Sequence, residues 1–474
     1  MARKILPIGI QTFREIRERD CYYVDKTGFA LRLIKEGKYY FLSRPRRFGK
    51  SLFLDTLGEL FAGNEPLFRG LCAHAGWDWG RRYPVIRLSF GSGVVQSREE
   101  LELRIGEMLA DNEASLGVSS PHRSIAGRFL GLIREAHVRG GERAVVLVDE
   151  YDKPILDNLT RPATAREIRD TLRSLYSVIK DMDAHIRFAF LTGVSKFAKV
   201  SLFSGLNNLN DITVDAQYSA LCGYTEADVD GVFAPELPGL DRAQIRNWYN
   251  GYNWTGDAVY NPFDLLLLFQ KREFRPWWFE TATPTFLIDL LLQRQIFIPR
   301  LEHLLASEQL LSAFDVDRIA TEALLFQTGY LTIDSVRQLG PLIQYRLRYP
   351  NQAVRASLNG ALLDQLTARS DATMVNVARL YDLLRANDFA GLEELFSAFF
   401  AGIPGLTITH ISPPRRRAGP PSPARSRQRA GVQSRGFAGR GSRRTSGRGS
   451  RPDRRPSAPS HPAWAECRVG VYVQ

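Results

Sequence analysis

Cysteine is scarce in this chain and forms no obvious pair. The four present, Cys21, Cys72, Cys222 and Cys467, make no CxxC motif and have no histidine at zinc-ligand spacing, which argues against a disulfide framework or a structural metal site. They read as reduced thiols. Cys72-Ala73-His74 puts two candidate ligands near one another, but with no second pair it carries no metal assignment. Long apolar runs are missing as well. No stretch reaches the roughly 20 apolar residues that span a bilayer, and Met1 to Pro7 holds no apolar run of signal-peptide length. The expectation is a cytoplasmic protein without a membrane partner.

Acids and lysine are nearly absent where the charge is greatest. The formal net charge is +12, yet residues 411–474 hold 15 Arg, no Lys and only Asp453 and Glu466 as acids, so more than the whole excess lies there. The body of the chain is near neutral, and the basicity belongs to the tail rather than to a nucleic-acid-binding face of the fold. From Ser412 onward there is also no Leu, Asn or Met. Such a segment cannot bury enough apolar surface to offset its conformational entropy, so residues 405–474 are expected to be disordered. A solvated linker and an RNA-binding tail are two readings of it. A third is GC-rich DNA translated in another frame, which the complete replacement of Lys by Arg favours.

The remaining composition, with 44% hydrophobic and 24% charged residues in 474, is that of an ordinary globular chain with two or three domains. Short apolar runs alternate with longer amphipathic ones over the first two hundred residues, the pattern of an α/β domain with a mainly parallel sheet. Strands are expected at 39–43, 85–90, 143–148 and 186–191, and helices at 51–61, 98–114, 124–138 and 164–180. The run Ala144 to Val148 is wholly apolar, as a central strand covered by helices on both faces must be. Beyond about Cys222 the alternation stops and helices dominate. Thr225 with Asp228 reads as a capping box, and Asn261-Pro262 as a helix start. One strand pair is expected at 330–335 and 343–349. The resulting division is a first domain over 1–220, a mostly helical one over 221–404, and the tail.

Phe48-Gly49-Lys50-Ser51 falls between the first strand and the first long helix, where a phosphate-binding loop lies. There backbone N–H groups attract phosphate oxygens, Lys50 can reach the β- and γ-phosphates, and the Ser51 hydroxyl can ligate Mg²⁺. The pattern G-x-x-x-x-G-K-[ST] asks for glycine at position 44, and this chain has Arg44. About a hundred residues later, the apolar strand ends in Asp149-Glu150. Asp149 is placed to hold Mg²⁺ and Glu150 to orient or deprotonate an attacking water. The fourth strand ends in Leu191-Thr192-Gly193, and Thr192 is the candidate to sense the γ-phosphate. Arg46 and Arg47 can neutralise phosphate charge in cis or face a neighbouring copy in a homo-oligomer. Asp152 and Lys153 are expected to pair on the surface, and Trp248, Tyr249 and Tyr252 to be packing aromatics.

Further stretches carry a resemblance. Leu6 to Gln11, Tyr23 to Thr27, Ser43 to Ser51, Val148 to Pro154, Leu191 to Val194 and Trp248 to Tyr252 resemble the bacterial AAA-ATPase-like family that is often fused to a C-terminal PD-(D/E)xK nuclease domain. So do Trp278 to Thr281, Gln327 to Leu331 and Tyr349 to Asn351, so that the likeness covers about residues 5 to 404. It implies ATP and Mg²⁺ as ligands, and Arg44 to Ser51 looks like the family's own form of the loop. No Asp followed by Glu-x-Lys on an apolar strand occurs after residue 404, so the implied nuclease activity is expected to be absent and the chain to be a truncated member. The leading expectation is a slowly hydrolysing ATPase. The alternative is a nucleotide-gated module for nucleic acid or protein without turnover, and an RNA-binding protein acting through its tail is a third.

Overall fold

The structure is a computed structural model. It describes residues 3–401 apart from 197–205, 207, 279–286, short gaps between 289 and 317, and 368–369. The basic tail therefore lies outside the described residues, as does Cys467.

Two short helices, α1 (Phe13–Glu18) and α2 (Thr27–Glu36), precede strand β1 (Tyr39–Ser43), which leads through a six-residue loop into α3 (Lys50–Phe61). Helix α4 (Cys72–Gly76) and strand β2 (Val85–Ser89) follow, then α5 (Arg98–Leu116), α6 (Ile125–Gly140) and strand β3 (Ala144–Asp149). Helices α7 (Lys153–Leu156) and α8 (Pro162–Asp181) lead to β4 (Ile186–Gly193), and β5 (Asn210–Asp211) completes the sheet. The fold is thus α/β, with five strands in the order β2-β3-β4-β1-β5 and every pair parallel.

The burial of each strand follows its place in that order. β1 and β3 are buried at every residue, because helices cover both faces of a central parallel strand. β2 lies at an edge, and it exposes Arg87 and Ser89 while burying Ile86 and Leu88. The helices begin and end where local chemistry allows. Ser97 accepts the Glu100 N–H at 3.2 Å to start α5, and Gly117 ends it at a φ of 65°, a left-handed turn open to glycine at little cost.

Past the sheet come α9 (Glu226–Val232), α10 (Arg242–Tyr249) and α11 (Pro262–Lys271). The Thr225–Asp228 capping box is complete, and Asn261 caps α11 through the N–H groups of Phe263 and Asp264. These helices share a second, smaller hydrophobic cluster with Tyr22 and Val24, so the N-terminal segment packs beside residues more than two hundred positions later. Strands β6 (Leu304–Ser307), β7 (Phe314–Asp315) and β8 (Arg318–Ile319) precede β9 (Thr332–Leu339) and β10 (Leu342–Arg348). The expected strand pair is β9 with β10, antiparallel, and β6 joins as a third strand that the sequence did not signal. The described residues fall into two units, divided after Ser370. In the second, helices Ser370–Ala386 and Phe389–Ala401 are joined by an Arg379–Glu394 ion pair at 3.2 Å. Among the described residues, no helix is long and apolar enough to cross a membrane.

Candidate functional site

The loop from Arg44 to Gly49 turns through two left-handed residues, Arg47 at φ 66° and Gly49 at φ 89°. Glycine takes that conformation freely, whereas a residue with a side chain pays about 1 kcal/mol for it, so Arg47 is held there by its surroundings. Its guanidinium lies 5.0 Å from the centre of the Phe263 ring on α11. Phe48 is buried against Tyr252 and Trp254, at ring separations of 4.7 and 5.5 Å. Arg46 reaches the same region through its carbonyl, which accepts the Trp278 Nε1–H at 3.0 Å.

Lys50 opens α3 and is itself buried, with Nζ donating to the Arg44 and Pro45 carbonyls at 3.0 and 2.9 Å. Burial pulls its pKa down, and the Asp149 and Glu150 carboxylates oppose that pull. The acids stand where β3 stops. One Asp149 carboxylate oxygen accepts the Glu150 N–H at 3.0 Å. Glu150 adopts a φ of 50°, which turns it off the strand direction, and its Oε2 lies 3.4 Å from where a Cβ on Gly91 would sit. Burial pushes the Glu150 pKa up, Lys50 works against this, and Asp149 and Asp152 add to it. A carboxylate whose pKa is raised holds a proton more readily than a free one.

Strand order decides where Thr192 falls. β4 lies between β1 and β3, with Thr192 in register with Leu42 and its neighbour Leu191 in register with Val148. Among the described residues, the buried Thr192 hydroxyl has no hydrogen-bond partner. Such an orphaned donor is uncommon in a folded chain and calls for an explanation.

Asp152 corrects an expectation. It is not a surface residue: it is 1% exposed, and its carboxylate accepts the Val194 N–H at 3.1 Å and both the N–H and hydroxyl of Ser195, at 2.6 and 2.5 Å. It thereby fixes the turn at Val194 and Ser195 that follows the end of β4. A polar residue just past a strand end gives no sequence sign of this, because the partners lie more than forty residues away. Lys153 does form an ion pair, with Asp157 at 2.5 Å, and also donates to the Gly93 carbonyl at 2.7 Å, but both partners of the pair are largely covered. Tyr249 and Tyr252 are buried, as packing aromatics should be, and Trp248 is half-buried.

Arg46, Arg47, Phe48, Gly49, Lys50, Ser51 and Glu150 line one cleft of about 400 Å³, within the size range of small-molecule sites. Asp149 and Thr192 are not among its lining residues. The opposite wall comes from places the motifs did not indicate: the turn at Pro7 to Gln11, Tyr22 to Val24, Cys222 to Tyr224, and Phe263 and Leu266 of α11. Among the described residues, no three His, Cys, Asp or Glu side chains cluster closely enough to hold a metal alone. Ser51 and Asp149 offer hard oxygen donors, the set that suits Mg²⁺ when phosphate oxygens and waters complete its shell.

A family described as "Predicted AAA-ATPase" matches residues 7–203. A protein of Azotobacter chroococcum mcd 1, named "Uncharacterized protein in vnfD 5'region", is 69% identical over 405 residues, which is 85% of this chain and 78% of that protein. The chain belongs to the same family as this Azotobacter protein, and its residues 7–203 match the predicted AAA-ATPase family. The span that the AAA-ATPase match covers includes the loop, Asp149-Glu150 and Thr192, while Cys222 to Tyr224, Phe263 and Leu266 lie beyond it.

Proposed function

We propose that the chain binds ATP with Mg²⁺ in this cleft and hydrolyses it slowly. Lys50 would leave its loop carbonyls for the β- and γ-phosphate oxygens, and Arg46 and Arg47 would add positive charge at the cleft. Ser51 and Asp149 would hold the metal, whose chemistry is to neutralise charge on the phosphates. Glu150 orients the attacking water and accepts its proton, and Thr192 contacts the γ-phosphate or that water. Phosphoryl transfer needs little more than such positioning and electrostatic stabilisation. In this reading residues 1–220 supply the catalytic groups, and residues 221–404 complete the facing wall together with the N-terminal segment.

The observation that carries the proposal is the insertion of β4 between β1 and β3. It puts Thr192, whose buried hydroxyl has no hydrogen-bond partner among the described residues, on the strand between the one that ends in the lysine-bearing loop and the one that ends in the acid pair. The test is Mg²⁺-dependent ATP binding and phosphate release by the purified chain. Lys50→Ala should abolish binding. Glu150→Gln should keep binding and lower turnover by about 10²-fold or more, the usual contribution of a general base. Binding without turnover in the parent, unaffected by Glu150→Gln, would favour the gated-module alternative. A parent that binds no ATP defeats the proposal.

A further inference from the structure

The phosphate-loop pattern places a glycine at position 44, and here a fully buried arginine stands there. Its backbone N–H continues the sheet ladder to the Gly193 carbonyl at 3.2 Å, and its φ is not left-handed, so the turn is made later, at Arg47 and Gly49. Nothing at position 44 therefore needs glycine. The side chain runs beneath the loop, where Nη1 donates to the Ser43 and Thr213 carbonyls at 2.9 and 2.8 Å and Nη2 to the Tyr218 carbonyl at 3.2 Å. Among the described residues no carboxylate pairs with it.

What packs against the guanidinium is instead an aromatic face, with the Asp211 carboxylate acting on its charge from beyond ion-pair distance. The guanidinium carbon lies 4.0 Å from the centre of the Trp254 ring, well inside cation–π range. The same indole meets Phe48 edge-on, at 5.5 Å and 89°. Trp254 thus touches the loop at both ends, residue 44 and residue 48. Between them, the Arg44 and Pro45 carbonyls hold Lys50 Nζ.

We propose that the Arg44–Trp254 pair takes the place of the missing glycine in shaping the phosphate loop, and that Trp254 is a positioning residue for the nucleotide. This rests on the ATP-binding reading above, and it goes further by giving the second half of the chain a part in phosphate affinity. Without the indole, the loop loses its hold at both ends, its amides no longer stand in one arrangement, and phosphate binding weakens while the Glu150 chemistry is untouched.

The test uses the full chain with Trp254→Leu, Trp254→Phe and Arg44→Lys, which keeps the charge but cannot span three carbonyls. Two readouts are taken: amide hydrogen exchange of residues 44–51 without nucleotide, and Kd and kcat for ATP. Trp254→Leu and Arg44→Lys should speed exchange in the loop while residues 144–149 stay protected. They should weaken ATP binding about tenfold, as expected from loss of one desolvated cation–π contact, with kcat at saturating ATP changed less than about threefold. Trp254→Phe should restore most of both. Parent-level loop protection and ATP affinity in either disrupting variant, with residues 144–149 intact, overturns the proposal. If the parent binds no ATP, the nucleotide reading fails, and loop exchange alone then decides: faster exchange upholds the clamp, and unchanged exchange refutes it.

Discussion

Asp264 offers a pH test of the packing behind the cleft. It occupies the first turn of α11, is 1% exposed, and accepts the Trp278 N–H at 2.7 Å. Among the described residues no cation pairs with it. Burial pushes its pKa up from 3.8 to about 7, against the opposing effect of the Trp278 N–H. The sign follows from linkage. A carboxyl whose folded pKa is raised binds a proton in the folded chain that the unfolded chain has already lost, so its stabilisation is present at low pH and is lost as pH climbs from about 4 to about 7. A rise of about three units corresponds to about 4 kcal/mol. The N-terminal end of α11 favours the carboxylate by up to about 1 kcal/mol, which leaves about 3 kcal/mol across the window. Between pH 5 and pH 8 about 2 kcal/mol of that remains. Asp264→Asn keeps an acceptor for Trp278 and removes the ionisation. Urea titrations of parent and variant at pH 5, 6, 7 and 8 should show the variant gaining about 2 kcal/mol on the parent as pH rises. A difference constant to within about 0.5 kcal/mol would mean that Asp264 is already ionised in the fold, and that the burial argument is wrong.

Two further substitutions separate function from stability. Thr192→Val removes a buried hydroxyl that has no partner among the described residues, so the melting temperature should hold or rise, while ATP turnover drops by about tenfold or more; a large loss of stability would mean that the hydroxyl has a structural partner. Gly251→Ala places a Cβ 2.0 Å from the Pro350 carbonyl oxygen at a φ of 114°, and should cost about 2–4 kcal/mol in urea unfolding. A near-neutral result would show that the two segments separate easily.

β1, β3 and β4 were legible because they contain short apolar runs bounded by turn residues, and β2 because buried Ile86 and Leu88 alternate with exposed Arg87 and Ser89. The helix starts at Thr225 and Asn261 were legible because a cap is written in adjacent residues. Strand order was not, since β1 pairs with β4 through contacts that no local pattern encodes, and the position of Thr192 between loop and acids depends on that pairing. The burial of Asp152 and Arg44 was hidden for the same reason: a charged residue is tolerated inside only when distant N–H groups, carbonyls or an indole meet it, and those partners sit 42 to 210 positions away. The motif residues of the cleft could be named from spacing, whereas its facing wall, built from residues 7–24, 222–224 and 263–266, could not.

The strand order also bears on how the chain is made. β1 emerges early in synthesis, yet its neighbours, β4 and β5, begin 147 and 171 residues later. Until they arrive, the apolar segment Tyr39–Ser43 has two unpaired edges, and β2 with β3 can form only one side of the sheet. Long-range parallel pairing of this kind folds slowly and leaves sticky intermediates exposed. A nascent chain stalled before residue 186 should therefore depend on chaperones, and release from that dependence should come only once the strand bearing Thr192 has left the ribosome.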